Sequence, residues 1–214
     1  DFVDVCITSG ERVLGEVRRR TSVPAVSIPG GVMVPRGLRV SQPAPLRLGY
    51  VGRLEQLQKR ILDLPPLIEE LERRGIPFTL DVAGDGSSLE ELRARLPQAR
   101  FHGWLSTDEL YDRVYSELDV LIHLAEYEGV TIAPREAMVH GVVPVIAQNI
   151  GSEDFIQDVN ALQFPIGDVN AAADAIECLH HDRGLLERLA APARQSQGGI
   201  RSEEGAIDAW AAAF

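Results

Sequence analysis

A chain of 214 residues that is 45% hydrophobic has the apolar content of an ordinary globular core, and the length of one large domain or of one domain with a fragment of another. Its net charge of −11 excludes a nonspecific nucleic-acid binder, because neutralising a phosphate backbone takes a basic surface; any phosphate contact has to be local. Cys6 and Cys178 are too few to build a disulfide scaffold, and no apolar run reaches the roughly 18 residues of a membrane span, so a cytoplasmic protein without an integral membrane segment is expected.

Taken in order, the pattern predicts a strand at 3–8, a short helix to about Arg20 and a strand at 25–28, with the turn IPGGV at 28–32 after it. Pro, Gly, Ser and Arg then accumulate over 33–45, as in an exposed linker. A buried strand at 46–51 runs into a polar loop with Gly52, Arg53 and Lys59. Leu64, Leu67, Ile68 and Leu71 recur at helical spacing up to Gly75. A strand at 78–83 ends in AGDG; Leu89, Leu92 and Leu96 stripe a helix; 100–103 is a short strand; Leu110, Tyr111 and Val114 face the core from the next helix. There follow a strand at 119–124, a helix at 132–140, strands at 142–147 and 161–164, a helix at 171–179 and a polar helical stretch. Strands alternating with short helices imply an α/β fold with a parallel, doubly wound, Rossmann-like sheet.

The segment 125–145, AEYEGVTIAPREAMVHGVVPV, concentrates the chemistry. Glu128 and Glu136 stand eight residues apart, with Thr131 suited to cap a helix between them, Pro134 to its first turn and Gly141 to its end. A loop at the carboxyl end of a strand, facing a helix N-terminus, offers unpaired N–H groups to an anion. Val130, Thr131, Ile132 and Ala133 can donate there; Pro134 cannot. A carboxylate early in a helix is also favourable without any ligand, by roughly 0.3–1 kcal/mol, so Glu136 points to a site only together with Glu128.

Glu128-Gly129, six further residues, Glu136-Ala137-Met138 and a Gly-x-Pro-Val-like turn resemble the E-x7-E motif of retaining family 4 glycosyltransferases, which have the GT-B fold. The resemblance covers about residues 46–190 and implies the C-terminal, donor-binding half of that fold. Implied boundaries are 1–35 as a remnant of the N-terminal acceptor domain, 36–45 as linker, 46–200 as the nucleotide-sugar-binding domain and 201–214 as a C-terminal helix. That helix, with Trp210, would dock on the absent first domain or close the present core. The implied activity is a hexosyltransferase, moving a sugar with retention from a nucleoside diphosphate sugar to an acceptor hydroxyl. The nucleotide sugar is then the substrate, no cofactor is needed, and the chain without its first domain binds donor but transfers little.

By the same resemblance Glu128 contacts the transferred sugar near its anomeric carbon and Glu136 the ribose hydroxyls, each carboxylate accepting from a vicinal diol. Arg53 and Lys59 reach the diphosphate and neutralise the charge growing there as the sugar leaves. Gly129, Val130, Thr131 and Ile132 line the donor, Gly84 and Gly86 let backbone approach the nucleotide, and Trp104 and Leu105 lie where the base packs. The bland readings stand beside these: Arg53 and Lys59 as solvated loop cations, AGDG as a tight turn, Trp104 as a core aromatic and His123 as a structural histidine. AGDG lacks the full G-x-G-x-x-G that a nicotinamide cofactor would use. Asn149-Ile150-Gly151-Ser152 departs from the family's Gly-Gly-x-Pro, ahead of Glu153. Without an Asp-x-Asp there is no divalent-metal cradle of the other main transferase fold, and Glu126 reads as flanking. An epimerase or phosphorylase of similar architecture, or a noncatalytic nucleotide-binding module, are the competing functions.

Overall fold

In a computed structural model, which describes residues 3–8, 11–28, 32, 45–195, 207, 208 and 211, the chain alternates strands and helices. It runs β1 (Cys6–Thr8), α1 (Glu11–Arg20), β2 (Ala25–Ser27), β3 (Leu46–Val51), α2 (Leu64–Arg73), β4 (Phe78–Ala83), α3 (Leu89–Arg95), β5 (Arg100–Gly103), α4 (Thr107–Arg113), β6 (Val120–His123), α5 (Ile132–Val139), β7 (Val143–Ala147), β8 (Leu162–Phe164), α6 (Val169–His181) and α7 (Arg183–Gln195). Short 3₁₀ turns at Ile61–Asp63 and Tyr115–Glu117 lead into α2 and out of α4. β1 and β2 form a parallel pair of their own, crossed by α1, and Arg12 reaches across to Glu153 at 3.9 Å.

The remaining strands form one parallel sheet in the order β5-β4-β3-β6-β7-β8. From β3 the chain winds outward through β4 to β5, then returns to place β6 on the other side of β3. The loops that follow β3 and β6 therefore leave in opposite directions and open a crevice at the carboxyl ends, the place where open α/β sheets take ligands.

Period-two alternation covers both faces of the sheet. Leu46, Leu48, Tyr50, Val120, Ile122, Val143 and Val145 pack into one core with α2, α3, α6 and α7, whereas Leu121 and Ala83 point the other way against Tyr111, Tyr115 and Ala137. Helix starts follow local chemistry. Ser106 and Glu109 form a capping box at α4, Asp168 accepts from Ala171 N at 2.9 Å at α6, and a proline opens α2. The Asp168 cap starts α6 at Val169, two residues ahead of the helix expected at 171–179.

At the amino edge Asp119 is buried and takes three hydrogen bonds from Arg47: backbone N at 3.0 Å, Nε at 3.1 Å and one terminal nitrogen at 3.0 Å. This fork locks β3 to the start of β6 at the end of the sheet away from the crevice. The middle of the 28–32 turn, the 36–44 stretch of the linker and most of the 201–214 helix, Trp210 included, lie outside the described residues.

Candidate active site

The loop after β3 is pinned before it reaches the crevice. Tyr50 Oη donates to Arg53 O at 3.0 Å, Leu54 N donates to Asp85 O at 2.9 Å, and Ser88 N donates to Leu54 O at 2.9 Å. It is then joined to the loop after β6: Glu126 N donates to Gln58 O at 2.9 Å, Gln58 Nε2 donates to Tyr127 O at 3.0 Å, and Arg60 bonds Asp63 at 2.8 Å and Glu126 at 3.0 Å. The β6 loop is held from its far side by Glu128 N donating to Ile150 O at 2.8 Å and by Asn149 Nδ2 donating to Ala125 O. Gly151 is required there, at φ +102 with a Cβ that would stand 2.7 Å from Glu128 O.

This backbone lacing brings Lys59 Nζ onto Glu128 Oε1 in an ion pair whose side chains are 15% and 8% exposed. Gln58 Nε2 lies 3.4 Å from the other Glu128 oxygen, and Gln58 Oε1 accepts from Arg53. Arg53, Gln58, Lys59 and Glu128 thus form one bonded group. Burying two charges costs several kcal/mol per ion, and their attraction often only offsets it, so stability gives little reason to place this pair in a crevice. His123 ends β6 beneath it, with Nε2 buried, 3.4 Å from Glu128 Oε1 and without a hydrogen-bond partner. Burial, with the Lys59 charge added, pushes this imidazole down to about 3. It is neutral at working pH. Burial, reinforced by Glu128 and Glu55, likewise holds the Tyr50 phenol well above its usual range.

Glu136 occupies a second, adjoining setting. From α5 its carboxylate turns toward the second core face, where Tyr115 Oη donates to Oε2 at 2.9 Å. Burial raises its pKa, opposed by hydrogen bonds from Tyr115 and Tyr111. His140 bonds the Glu136 carbonyl at 2.7 Å through Nδ1 and stacks on Tyr115 at 5.3 Å, so an aromatic cluster fixes this turn of α5. Glu136 makes no direct hydrogen bond to Arg53, Lys59 or Glu128 among the contacts described. Arg53, Lys59 and Glu128 are therefore linked through Gln58, whereas Glu136 is held separately, on the same strand-loop-helix unit as Glu128.

Thr131 stands at the N-cap of α5, but its hydroxyl donates to Gly151 O instead of capping the helix. Thr131 is thus not the side-chain cap that its position suggests: tying α5 to the 149–152 turn competes with capping, and wins. Ile132 N is turned to Val130 O at 3.1 Å, Ile132 is half exposed, and Gly129 before it is exposed. At Gly84 an added Cβ would stand 1.9 Å from Gly52 O, and at Gly86 2.4 Å from Leu54 O. Both glycines are thus needed for the contact between the β3 and β4 loops, before any nucleotide is considered. Trp104 is 76% exposed, which overturns the core-aromatic reading, while Leu105 packs against the second core. Lys59, largely buried, is not a solvated cation; Arg53 is largely exposed and also pairs with Glu55 at 3.0 Å. Glu126 and Glu128 are each matched to a cation, and among the described residues no three His, Cys, Asp or Glu side chains gather to hold a metal ion. No helix among them is long and apolar enough to cross a membrane.

In the sequence His123 reads as a structural histidine, and Gln58 and Tyr115 belong to no motif. His123 could have been found, since it ends a strand under the Glu128 loop. Gln58 carried no signal, because its role depends on a contact across 70 positions.

A parallel, doubly wound sheet with charged side chains gathered over its switch point is a Rossmann-like, ligand-binding architecture. The chain belongs to the family described as glycosyl transferases group 1, which matches residues 45–182. It is 31% identical over 122 residues to a GDP-mannose-dependent alpha-mannosyltransferase of Corynebacterium glutamicum, and 29% identical over 108 residues to the putative glycosyltransferase EpsF of Bacillus subtilis. These alignments take in 56% and 49% of this chain and 28% of each relative. Among solved structures, S. aureus TarM in complex with fondaparinux, alpha-GlcNAc-glycerol and UDP superposes with a TM-score of 0.81 at 19% identity, over 97% of this chain and 43% of that one. Anabaena HepE in complex with UDP and glucose superposes with a TM-score of 0.82 at 15% identity, over 99% of this chain and 63% of that one. The chain therefore spans about a quarter of the curated relatives, and less than two thirds of these structures.

Proposed function

We propose that this chain is the donor-binding part of a retaining hexosyltransferase, which moves a sugar from a nucleoside diphosphate sugar to an acceptor hydroxyl. The observation that carries the reading is the Lys59–Glu128 ion pair, joined through Gln58 to Arg53, at the switch point of the sheet. A cation pair beside a nearly buried carboxylate is the arrangement a diphosphate-linked sugar calls for: cations for the leaving diphosphate, a carboxylate for the sugar that becomes electron-poor as the bond breaks. Lys59 and Arg53 take the diphosphate, and Glu128 positions the sugar and stabilises its positive charge. Glu136, steadied by Tyr115, takes the ribose diol. The Gly129–Ile132 backbone lines the donor, Gly84 and Gly86 bring backbone to the nucleotide, and Trp104 and Leu105 lie toward the base. Support for a nucleotide donor also comes from the GDP-mannose dependence in one relative's name and the UDP in the two structures. The acceptor proton leaves on the face from which the diphosphate departs, with a leaving-group oxygen accepting it, so Glu128 need not become a covalent nucleophile.

The acceptor site and the other wall of the cleft belong to a further domain in this reading, with residues 1–35 as its remnant. The test is a thermal-shift and calorimetric panel of uridine, guanosine and adenosine diphosphate sugars on this chain. At least one should bind, with negligible transfer. Lys59→Ala and Glu136→Ala should each weaken that binding by tenfold or more, about 1.4 kcal/mol. Failure of every sugar nucleotide to bind, or binding indifferent to both substitutions, overturns the reading.

A further inference from the structure

The Lys59–Glu128 pair poses a problem for the donor site proposed above. Both groups spend their charge on one another, yet both are needed for the incoming nucleotide sugar. When the diphosphate arrives, Lys59 has to turn to it, and Glu128 Oε1 loses its partner in a place where the carboxylate side chain is only 8% exposed. An abandoned buried carboxylate is costly and free to rotate away from the sugar.

His123 stands where this loss can be met. Its Nε2 lies 3.4 Å from the oxygen that Lys59 holds, is shut off from water and has no other hydrogen-bond partner. Unsatisfied buried ring nitrogens are uncommon and call for an explanation. We propose that His123 is a positioning residue for Glu128: its Nε2–H takes over the carboxylate oxygen that Lys59 releases, and so fixes the carboxylate against the sugar while the lysine serves the diphosphate.

The proposal rests on the donor-site reading, and three features suit it. His123 belongs to the last residue of a central strand, fixed by pairing with Ile146, so its ring does not travel with the loops. The charged groups facing it are Lys59 and Glu128, and burial, the larger cause of its depressed pKa, keeps the imidazole neutral after the lysine has turned away. A neutral imidazole carries one N–H and one lone pair, so it can donate to the Glu128 carboxylate without surrendering its proton or cancelling the charge. Contraction from 3.4 Å to ordinary hydrogen-bond distance is a shift of half an ångström, within the freedom of a side chain released from an ion pair.

The experiment has two readouts. In this chain, labelled at the histidine ring and lysine side-chain nitrogens, titration with uridine diphosphate and guanosine diphosphate should move the His123 Nε2–H signal downfield and slow its exchange, in step with the Lys59 Nζ signal. In the complete enzyme, with the hexose donor that binds best, His123→Leu should lower kcat about ten- to a hundredfold, the range of one hydrogen bond to a charged group. Donor KM should stay within about threefold, and His123→Gln, which keeps a terminal N–H, should recover most of the rate. Nucleotide binding that moves Lys59 but leaves the His123 proton unchanged overturns the handover. Equal kcat in the Leu variant and the natural enzyme, or equal loss in Leu and Gln, overturns it as well. Glu128→Gln separates the two ideas: if that variant also keeps full activity, the donor-site reading itself is wrong, whereas an inactive Glu128→Gln beside an active His123→Leu sinks only the present proposal. Should the Leu variant misfold, the ring-nitrogen titration of the unmutated chain still decides.

Discussion

Lys59 and Glu128, 69 positions apart, meet in an ion pair that the crevice nearly closes from water. Removing either partner leaves an uncompensated charge, so Lys59→Met alone should destabilise the chain by about 2–4 kcal/mol. Lys59→Met combined with Glu128→Gln should regain most of that loss, because both charges are then gone. Urea unfolding of the two single variants and the double variant gives the cycle. Additive losses would show that the pair is not coupled. Recovered stability must not bring recovered activity, since the groups that would handle the diphosphate and the sugar are then both absent.

Glu136 should leave a mark on the pH dependence of stability. Burial lifts its folded pKa above the ordinary 4.5, so the folded chain holds this proton more firmly than the unfolded one. Its contribution is fully present below the unfolded value and is lost as pH rises through the folded value. Glu136→Gln should therefore flatten a decline in stability on the alkaline side of pH 4.5. Tyr115→Phe removes a hydrogen bond that lowers this pKa, and should move the decline to higher pH. Denaturant titrations between about pH 4 and 8 measure both; a Tyr115→Phe midpoint shifted to lower pH would contradict the geometry.

His123 works in the opposite direction. Depressed to about 3 from its ordinary 6.5, it favours the folded chain above the unfolded value, and that contribution is lost as pH falls from 6.5 toward 3. The acid limb of the stability curve should be shallower in His123→Gln than in the natural chain. An identical acid limb would mean that the ring is not buried neutral.

Two glycines in the same corner should respond differently. Gly151→Ala forces a side chain into a left-handed backbone with 2.7 Å to Glu128 O, so it should cost about 1–3 kcal/mol and displace the Glu128 loop. Gly129→Ala meets nothing within 4 Å and should be near neutral for stability, within about 0.5 kcal/mol. Any loss of donor binding in the Gly129 variant then reports on the ligand. Thermal unfolding and nucleotide calorimetry on both proteins check this.

At the far edge, Asp119→Ala strips the buried Arg47 fork and should cost about 3 kcal/mol or more. Nucleotide affinity, measured where the variant is still folded, should stay within about threefold, because that edge lies away from the crevice. A large change in affinity would mean that the two edges are coupled.

The strands, their parallel direction and the acid motif could be read in the sequence because they depend on local signals. Period-two apolar runs make the β strands, helical stripes such as Leu64, Leu67, Ile68 and Leu71 make the layers over them, and the spacing from Glu128 to Glu136 is a fact of the chain itself. Gly84 and Gly86 read as a tight turn or, by resemblance, as room for a nucleotide; the backbone they clear is instead that of Gly52 and Leu54, more than 30 positions away. What only the tertiary structure decided is which charges face each other. Gln58 has no periodicity to betray it, Thr131 gives its hydroxyl to Gly151 because that carbonyl comes within reach only after folding, and Glu136 turns to Tyr115 instead of joining the Lys59 group. Local sequence sets backbone geometry through steric and periodic rules that act over a few residues. Pairing between side chains is set by the sheet order, which brings the loops after β3 and β6 to one crevice.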